Sequence, residues 1–127
     1  MLKDTQHKVL IVDDEPNIVA AIQFLMEKEG YLVETAYNGL RALEVLNNWM
    51  PDVVLLDVMM PEMDGFELAK KIRARMDMDN TRIIFLTAKG ASQDKVQGYL
   101  SGGEVYLTKP FDNEELIQVV SETVEFG

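Results

Sequence analysis

Apolar positions along the chain follow two alternating rhythms. Short runs at Lys8-Val9-Leu10-Ile11-Val12, Tyr31 to Ala36, Val53-Val54-Leu55-Leu56, Arg82 to Thr87 and Glu104-Val105-Tyr106-Leu107 predict five strands. Between them apolar residues recur at helical spacing. Ile18, Ala21, Ile22, Leu25 and Met26 form one such stripe, with Pro16 in its first turn and Gly30 as its stop. A helix from about Gly39 to Asn48 is expected to bury Leu40, Leu43 and Leu46. The next carries Phe66, Leu68, Ala69 and Ile72, with Lys70, Lys71, Arg73 and Arg75 on its wetter side. A weaker helix is expected over Gln93 to Leu100, because Gly98 in its interior costs about 1 kcal/mol relative to Ala. The last, Asn113 to Glu125, presents Leu116, Val119, Val120 and Val124, with Asp112 placed to cap it.

Five strand–helix units of this length imply an α/β fold, a doubly wound five-stranded parallel sheet with helices on both faces and right-handed crossovers. The usual order for such a sheet is the flavodoxin-like 2-1-3-4-5, which puts the ligand crevice between strands 1 and 3. No repeat or linker interrupts the series, so residues 1–127 are expected to form one domain with a core at about 7–124.

That order changes the reading of the acidic residues. Asp13 and Asp14 end the first strand, and Asp57 ends the third, whose unbroken apolar run reads as buried on both faces. A charge there is costly unless balanced. Carboxylates converging on one crevice repel each other, and a hard divalent cation relieves this. Oxygen donors without Cys or His favour Mg²⁺. Mg²⁺ keeps room for water and phosphate oxygens, so the site reads as one half-built for a phosphoryl group. Alternatively, Asp13 and Asp14 only cap the helix begun by Pro16, with Glu15 in its first turn. Thr87 ends the fourth strand and Lys109 follows the fifth, so a hydroxyl and an ammonium suited to phosphoryl oxygens reach the same rim. With no Cys and a single His near the N-terminus, a nucleophile here has to be a carboxylate.

Composition narrows the classes further. A net charge of −10 disfavours direct nucleic-acid binding. No run of about 18 apolar residues predicts membrane insertion, and a cytoplasmic location is expected from the polar N-terminus.

The stretches Val12-Asp13-Asp14-Glu15-Pro16, Leu55 to Gly65, Leu86-Thr87-Ala88 and Tyr106 to Phe111 resemble the receiver domain of two-component response regulators, in the single-domain form of chemotaxis-type regulators. The resemblance implies that Asp57 accepts a phosphoryl group from a histidine kinase or histidine phosphotransfer protein. It implies Mg²⁺ on Asp13, Asp14, one Asp57 oxygen and the Met59 backbone carbonyl. Lys109 and Thr87 would bind the phosphoryl group, and Tyr106 would be the switch aromatic. Pro61 and Gly65 would shape the loop, and Lys109–Pro110 would be cis. Phe111 and the first helix would help dock the kinase-side partner. Output would pass to a downstream target protein or an attached output domain, through the helix over 93–100, the fifth strand and the last helix. Such a switch modifies only itself and is not a metabolic enzyme.

A Mg²⁺-dependent phosphohydrolase of the haloacid dehalogenase-like type needs a second acid two residues after the nucleophile, where this chain has Met59. A nucleotide or flavin module would need a glycine-rich cradle, not Asp13-Asp14-Glu15-Pro16. A receiver that binds partners without phosphorylation stays open. The chain departs from the family pattern at Gly102-Gly103-Glu104-Val105, which with Gly98 suggests a loose helix over 93–100 and a more apolar output face. Met59 and Lys89 would flank the approach of water to phosphorylated Asp57.

Overall fold

The structure, a computed structural model, describes residues 6–88 and 105–126. Its strands are β1 (Lys8–Val12), β2 (Leu32–Ala36), β3 (Val53–Asp57), β4 (Arg82–Ala88) and β5 (Val105–Lys109). Its helices are α1 (Pro16–Lys28), α2 (Gly39–Leu46), α3 (Gly65–Arg73) and α4 (Asn113–Phe126), with a 3₁₀ turn at Met76–Met78. All strand pairs are parallel, in the order β2-β1-β3-β4-β5. The expected doubly wound sheet is therefore present. The helix expected over 93–100, together with Lys89, Gly98, Gly102, Gly103 and Glu104, lies outside the described residues.

Period-two alternation on buried strands sends neighbouring side chains to opposite faces. Leu10, Val12, Val54, Leu56, Ile83 and Phe85 pack with Ala42, Val45, Leu46, Leu68 and Ile72 of α2 and α3. Val9, Ile11, Leu55, Ile84 and Leu86 pack on the other face with Val19, Ile22 and Met26 of α1 and Leu116 and Val120 of α4. β3 is buried at every position, Asp57 included. Full burial of each such aliphatic side chain contributes about 1.5–3 kcal/mol, which fixes the sheet as the rigid element carrying the site.

Gly30 ends α1 with φ +96°, where the Tyr31 N–H donates to Met26 O (3.1 Å) and the Gly30 N–H to Glu27 O (3.0 Å). This double bond pattern closes the helix and needs a residue tolerant of positive φ. Asp64 caps α3 by accepting from the Glu67 N–H (2.9 Å), while Glu67 accepts from the Asp64 N–H (3.0 Å). Arg73, on the side of α3 expected to be wet, is half-buried and donates to the carbonyls of Met78 and Thr81, tying the helix end to the start of β4.

Three expectations need correction. Leu40 is 64% exposed, not buried. The inward face of α2 runs through Gly39, Ala42, Val45 and Leu46, and Leu40 stands about 100° round from Gly39. Gly39 sets this phase by lying against Met63, where an added Cβ would come within 2.5 Å of Sδ. Tyr31 belongs to the α1 stop rather than to β2. Lys109 is the last residue of β5, not a residue after it. Among the described residues no helix is long and apolar enough to cross a membrane.

Candidate functional site

Register brings the chemistry together. Val12 pairs with Leu56, so Asp13 and Asp57 leave adjacent strands at the same level. Asp57 pairs with Leu86, Thr87 with Thr108, and Ala88 with Lys109. The carboxyl ends of β1, β3, β4 and β5 thus share one rim, where parallel sheets bind ligands.

Asp13 is fully buried, Asp57 is buried and Asp14 is exposed. One carboxylate oxygen from each lies within 4.8 Å of the others. Asp13 Oδ1 accepts from the Glu15 N–H (3.0 Å), which turns the chain into α1. Glu15 occupies the N-cap position of that helix, but no side chain caps it. Capping α1 therefore does not account for the placement of Asp13 and Asp14. The Met59 N–H reaches Asp57 Oδ1 at 3.4 Å, while the Met59 side chain is exposed.

The Lys109 ammonium donates to Asp13 Oδ2 (3.0 Å) and Asp57 Oδ1 (3.3 Å), with Glu15 Oε1 at 3.8 Å. Burial pushes Asp57 up to about 6, and the Asp13 charge adds to this against the opposing Lys109 ammonium. Burial alone would lower Lys109, but the hydrogen bond to Asp13 and the charges of Asp57 and Asp13 outweigh it, so its affinity for a proton is raised. One ammonium stays charged between acids it cannot fully neutralise. Such a group of oxygens suits a hard divalent cation, and all of them are oxygen donors.

Thr87 is buried, and among the described residues its Oγ1 has no hydrogen-bond partner. A buried hydroxyl left unsatisfied costs about 1–3 kcal/mol. Tyr106 is half-buried, its ring stacked on Phe85 with centroids 5.4 Å apart, and Phe85 meets Phe66 edge-on at 5.1 Å.

The loop after β3 is shaped by its backbone. The Val58 N–H donates to Leu86 O (3.1 Å), the Gly65 N–H to Val58 O (2.9 Å), and the Met63 N–H to Pro61 O (2.8 Å) around Glu62 at φ 70°. Gly65 packs against the Asp57 carbonyl, leaving no space for a Cβ. Pro61 is exposed, and the Lys109–Pro110 bond is cis as expected. Asp13, Asp14, Asp57 and Lys109 thus meet at one place, with Thr87 near the carboxyl end of the neighbouring strand β4. Two contributors were not singled out in the sequence: Glu15 near Lys109, and Phe85 beneath Tyr106. The acidic run gave a signal for Glu15, whereas Phe85 looked like any core residue of a buried strand.

Beside this rim, Ile18, Ala21 and Leu25 of α1 face Phe111 and Pro110 across a groove of about 610 Å³.

Residues 9–121 match the family model for the response regulator receiver domain. Among solved structures, the receiver domain of a Francisella response regulator is 37% identical, with a TM-score of 0.85 over 94% of this chain and 98% of that one. The Vibrio cholerae chemotaxis protein CheY4 is 34% identical, with a TM-score of 0.89 over 94% and 99%. The receiver domain of a sensor histidine kinase from Pseudomonas aeruginosa PAO1, with a magnesium ion coordinated in its active site cleft, is 27% identical, with a TM-score of 0.86 over 95% and 99%.

Proposed function

Since the chain belongs to the response regulator receiver domain family, we infer that it is a phosphorylatable switch of two-component signalling whose acceptor is Asp57. The observation that carries this reading is the convergence of three carboxylates, the Lys109 ammonium and the buried Thr87 hydroxyl on one rim of the sheet.

In this reading an Asp57 oxygen attacks the phosphorus of a phosphohistidine on a kinase or phosphotransfer protein. The new O–P bond forms as the P–N bond breaks, and the imidazole nitrogen keeps the bonding pair. Lys109, already 3.3 Å from Asp57, is placed to follow the incoming oxygens and balance their charge. Thr87, whose hydroxyl has no hydrogen-bond partner among the described residues, donates it to one of them. Asp13, Asp14, an Asp57 oxygen and the Met59 carbonyl would hold Mg²⁺, which supplies neutralisation of the converging negative charge. That donor set fits the ion: oxygens only, more negative charge than one lysine offsets, and one exposed acid at the opening.

The product is a modified side chain of the protein itself, so the chain acts as a switch and not as a metabolic enzyme. A cytoplasmic location goes with a phosphohistidine donor. The apolar groove between α1 and Phe111 supports docking of that donor beside the site. Output follows when Thr87 is drawn to the phosphoryl group and the stacking of Tyr106 on Phe85 changes, altering affinity for a target at β5 and α4.

Incubation with a small-molecule phosphodonor and Mg²⁺, read by intact mass, tests the reading. One added phosphoryl group is expected, absent in Asp57→Asn and without Mg²⁺. A chain that gains none from any donor acts instead as a binding module independent of phosphorylation.

A further inference from the structure

The sequence holds eight methionines and no cysteine, so thioethers are its only sulfur groups open to oxidation. Among the described residues their accessibility is sharply graded. Met26 and Met78 are fully buried, Met60 is buried, and Met63 is half-buried against Gly39. Met50 is 38% exposed, and its Sδ lies 3.8 Å from the Thr81 hydroxyl. Among the described residues only Met59 and Met76 are presented freely, at 68% and 86% exposure. They sit at opposite ends of the sheet. Met76 lies in the 3₁₀ turn before β4, whereas Met59 follows the carboxyl end of β3, its N–H 3.4 Å from Asp57 Oδ1.

We propose that Met59 is an oxidation site through which peroxide shortens the lifetime of the phosphoryl group on Asp57. The inference rests on the phosphorylation reading above and adds a second chemical input to the same site. The sulfur lone pair attacks one peroxide oxygen, the S–O bond forms and the O–O bond breaks. The departing hydroxide takes the proton from the oxygen now bound to sulfur and leaves as water. Sulfur is oxidised by two electrons and the peroxide is reduced by two, giving methionine sulfoxide.

A thioether is a weak hydrogen-bond acceptor and orders little water. The sulfoxide oxygen is polar and accepts strongly. Two residues from the acyl phosphate, it holds a water by one hydrogen and leaves that water's lone pair free to attack phosphorus. One added hydrogen bond of ordinary strength in the transition state is worth about fivefold in rate.

The test uses the full chain, its Met59→Leu and Met76→Leu variants, and limited hydrogen peroxide, with oxidised positions read by peptide mass spectrometry. Each protein is then phosphorylated with a small-molecule phosphodonor and Mg²⁺. Loss of the phosphoryl group is followed by intact mass against the same protein untreated. Peroxide is expected to shorten the lifetime about fivefold in the native sequence and in Met76→Leu, and to leave Met59→Leu unaffected. Met59→Gln, which carries an amide oxygen near the same place, is expected to shorten it without peroxide. The proposal is overturned if Met59 stays reduced while Met76 is oxidised, or if oxidation leaves the lifetime unchanged. An equal change in Met59→Leu overturns it too. If no protein, oxidised or not, takes up a phosphoryl group, the phosphorylation reading falls and this inference falls with it. Uptake with a lifetime indifferent to Met59 oxidation removes the inference alone.

Discussion

Replacing Asp57 by Asn removes a carboxylate that ionises against its surroundings and leaves a side chain of almost the same shape. In the folded protein Asp57 ionises at about 6 against an ordinary value of 3.8, through burial and the neighbouring Asp13 charge. Below 3.8 the group is protonated in both folded and unfolded chains and contributes nothing to the pH dependence. Between these values the unfolded chain has lost the proton and the folded chain still holds it. Native stability therefore falls as pH rises through this window and levels off above about 6. The interval corresponds to about 3 kcal/mol at neutral pH, or roughly 10 °C in Tm for a domain of this size. In metal-free buffer Asp57→Asn is thus expected to be more stable than the native sequence at pH 7 and equal to it near pH 3.5. Urea titrations across that range, with chelator present, measure the difference. A variant equally stable or less stable at pH 7 refutes the reasoning. A gain that does not change with pH would trace the effect to packing instead of ionisation. Mg²⁺ should reduce the gain, since a cation on the same oxygens favours the ionised form.

Lys109→Met removes the ammonium that bonds both Asp13 and Asp57; the Asp57 titration should move above 6, and stability at pH 7 should drop by about 2 kcal/mol. Carboxyl-carbon NMR follows the titration, and an unmoved Asp57 would mean that Lys109 does not offset its charge. Thr87→Val keeps the shape and deletes a buried hydroxyl that has no partner among the described residues. It should raise stability by about 1 kcal/mol in urea while weakening the response to phosphorylation, and a loss of stability would reveal a hydrogen bond to the hydroxyl. Gly65→Ala adds a Cβ against the Asp57 carbonyl and, at 2.9 Å, the Val58 Cα. It should cost about 1–3 kcal/mol despite the better helix propensity of Ala, and a neutral result in thermal unfolding would show that the loop yields easily.

Much of the candidate site was legible before any coordinates, because its acids and its lysine close apolar runs and strand ends are set by local pattern. Asp13, Asp57, Thr87 and Lys109 are each explained by position along a strand. Leu40 was misread because helical spacing alone does not choose which of two overlapping stripes faces inward. The contact of Gly39 with Met63, 24 residues on, makes that choice. Gly65 read as a loop breaker, but its requirement is the closeness of the Asp57 backbone, which depends on how α3 returns over β3.

Taken by itself, the sequence determined the alternation of strands and helices, the two-faced core and the types of group at each strand end. These depend on periods of two and 3.6 residues and on turn chemistry, which act over a few neighbours. Only the tertiary structure decided that Lys109 bonds both Asp13 and Asp57, that the Thr87 hydroxyl is left without a partner among the described residues, and that Tyr106 rests on Phe85. Those facts depend on strand register and burial across 21 to 96 residues of chain. Desolvation and Coulomb interactions are set by distance in space, which no local pattern carries.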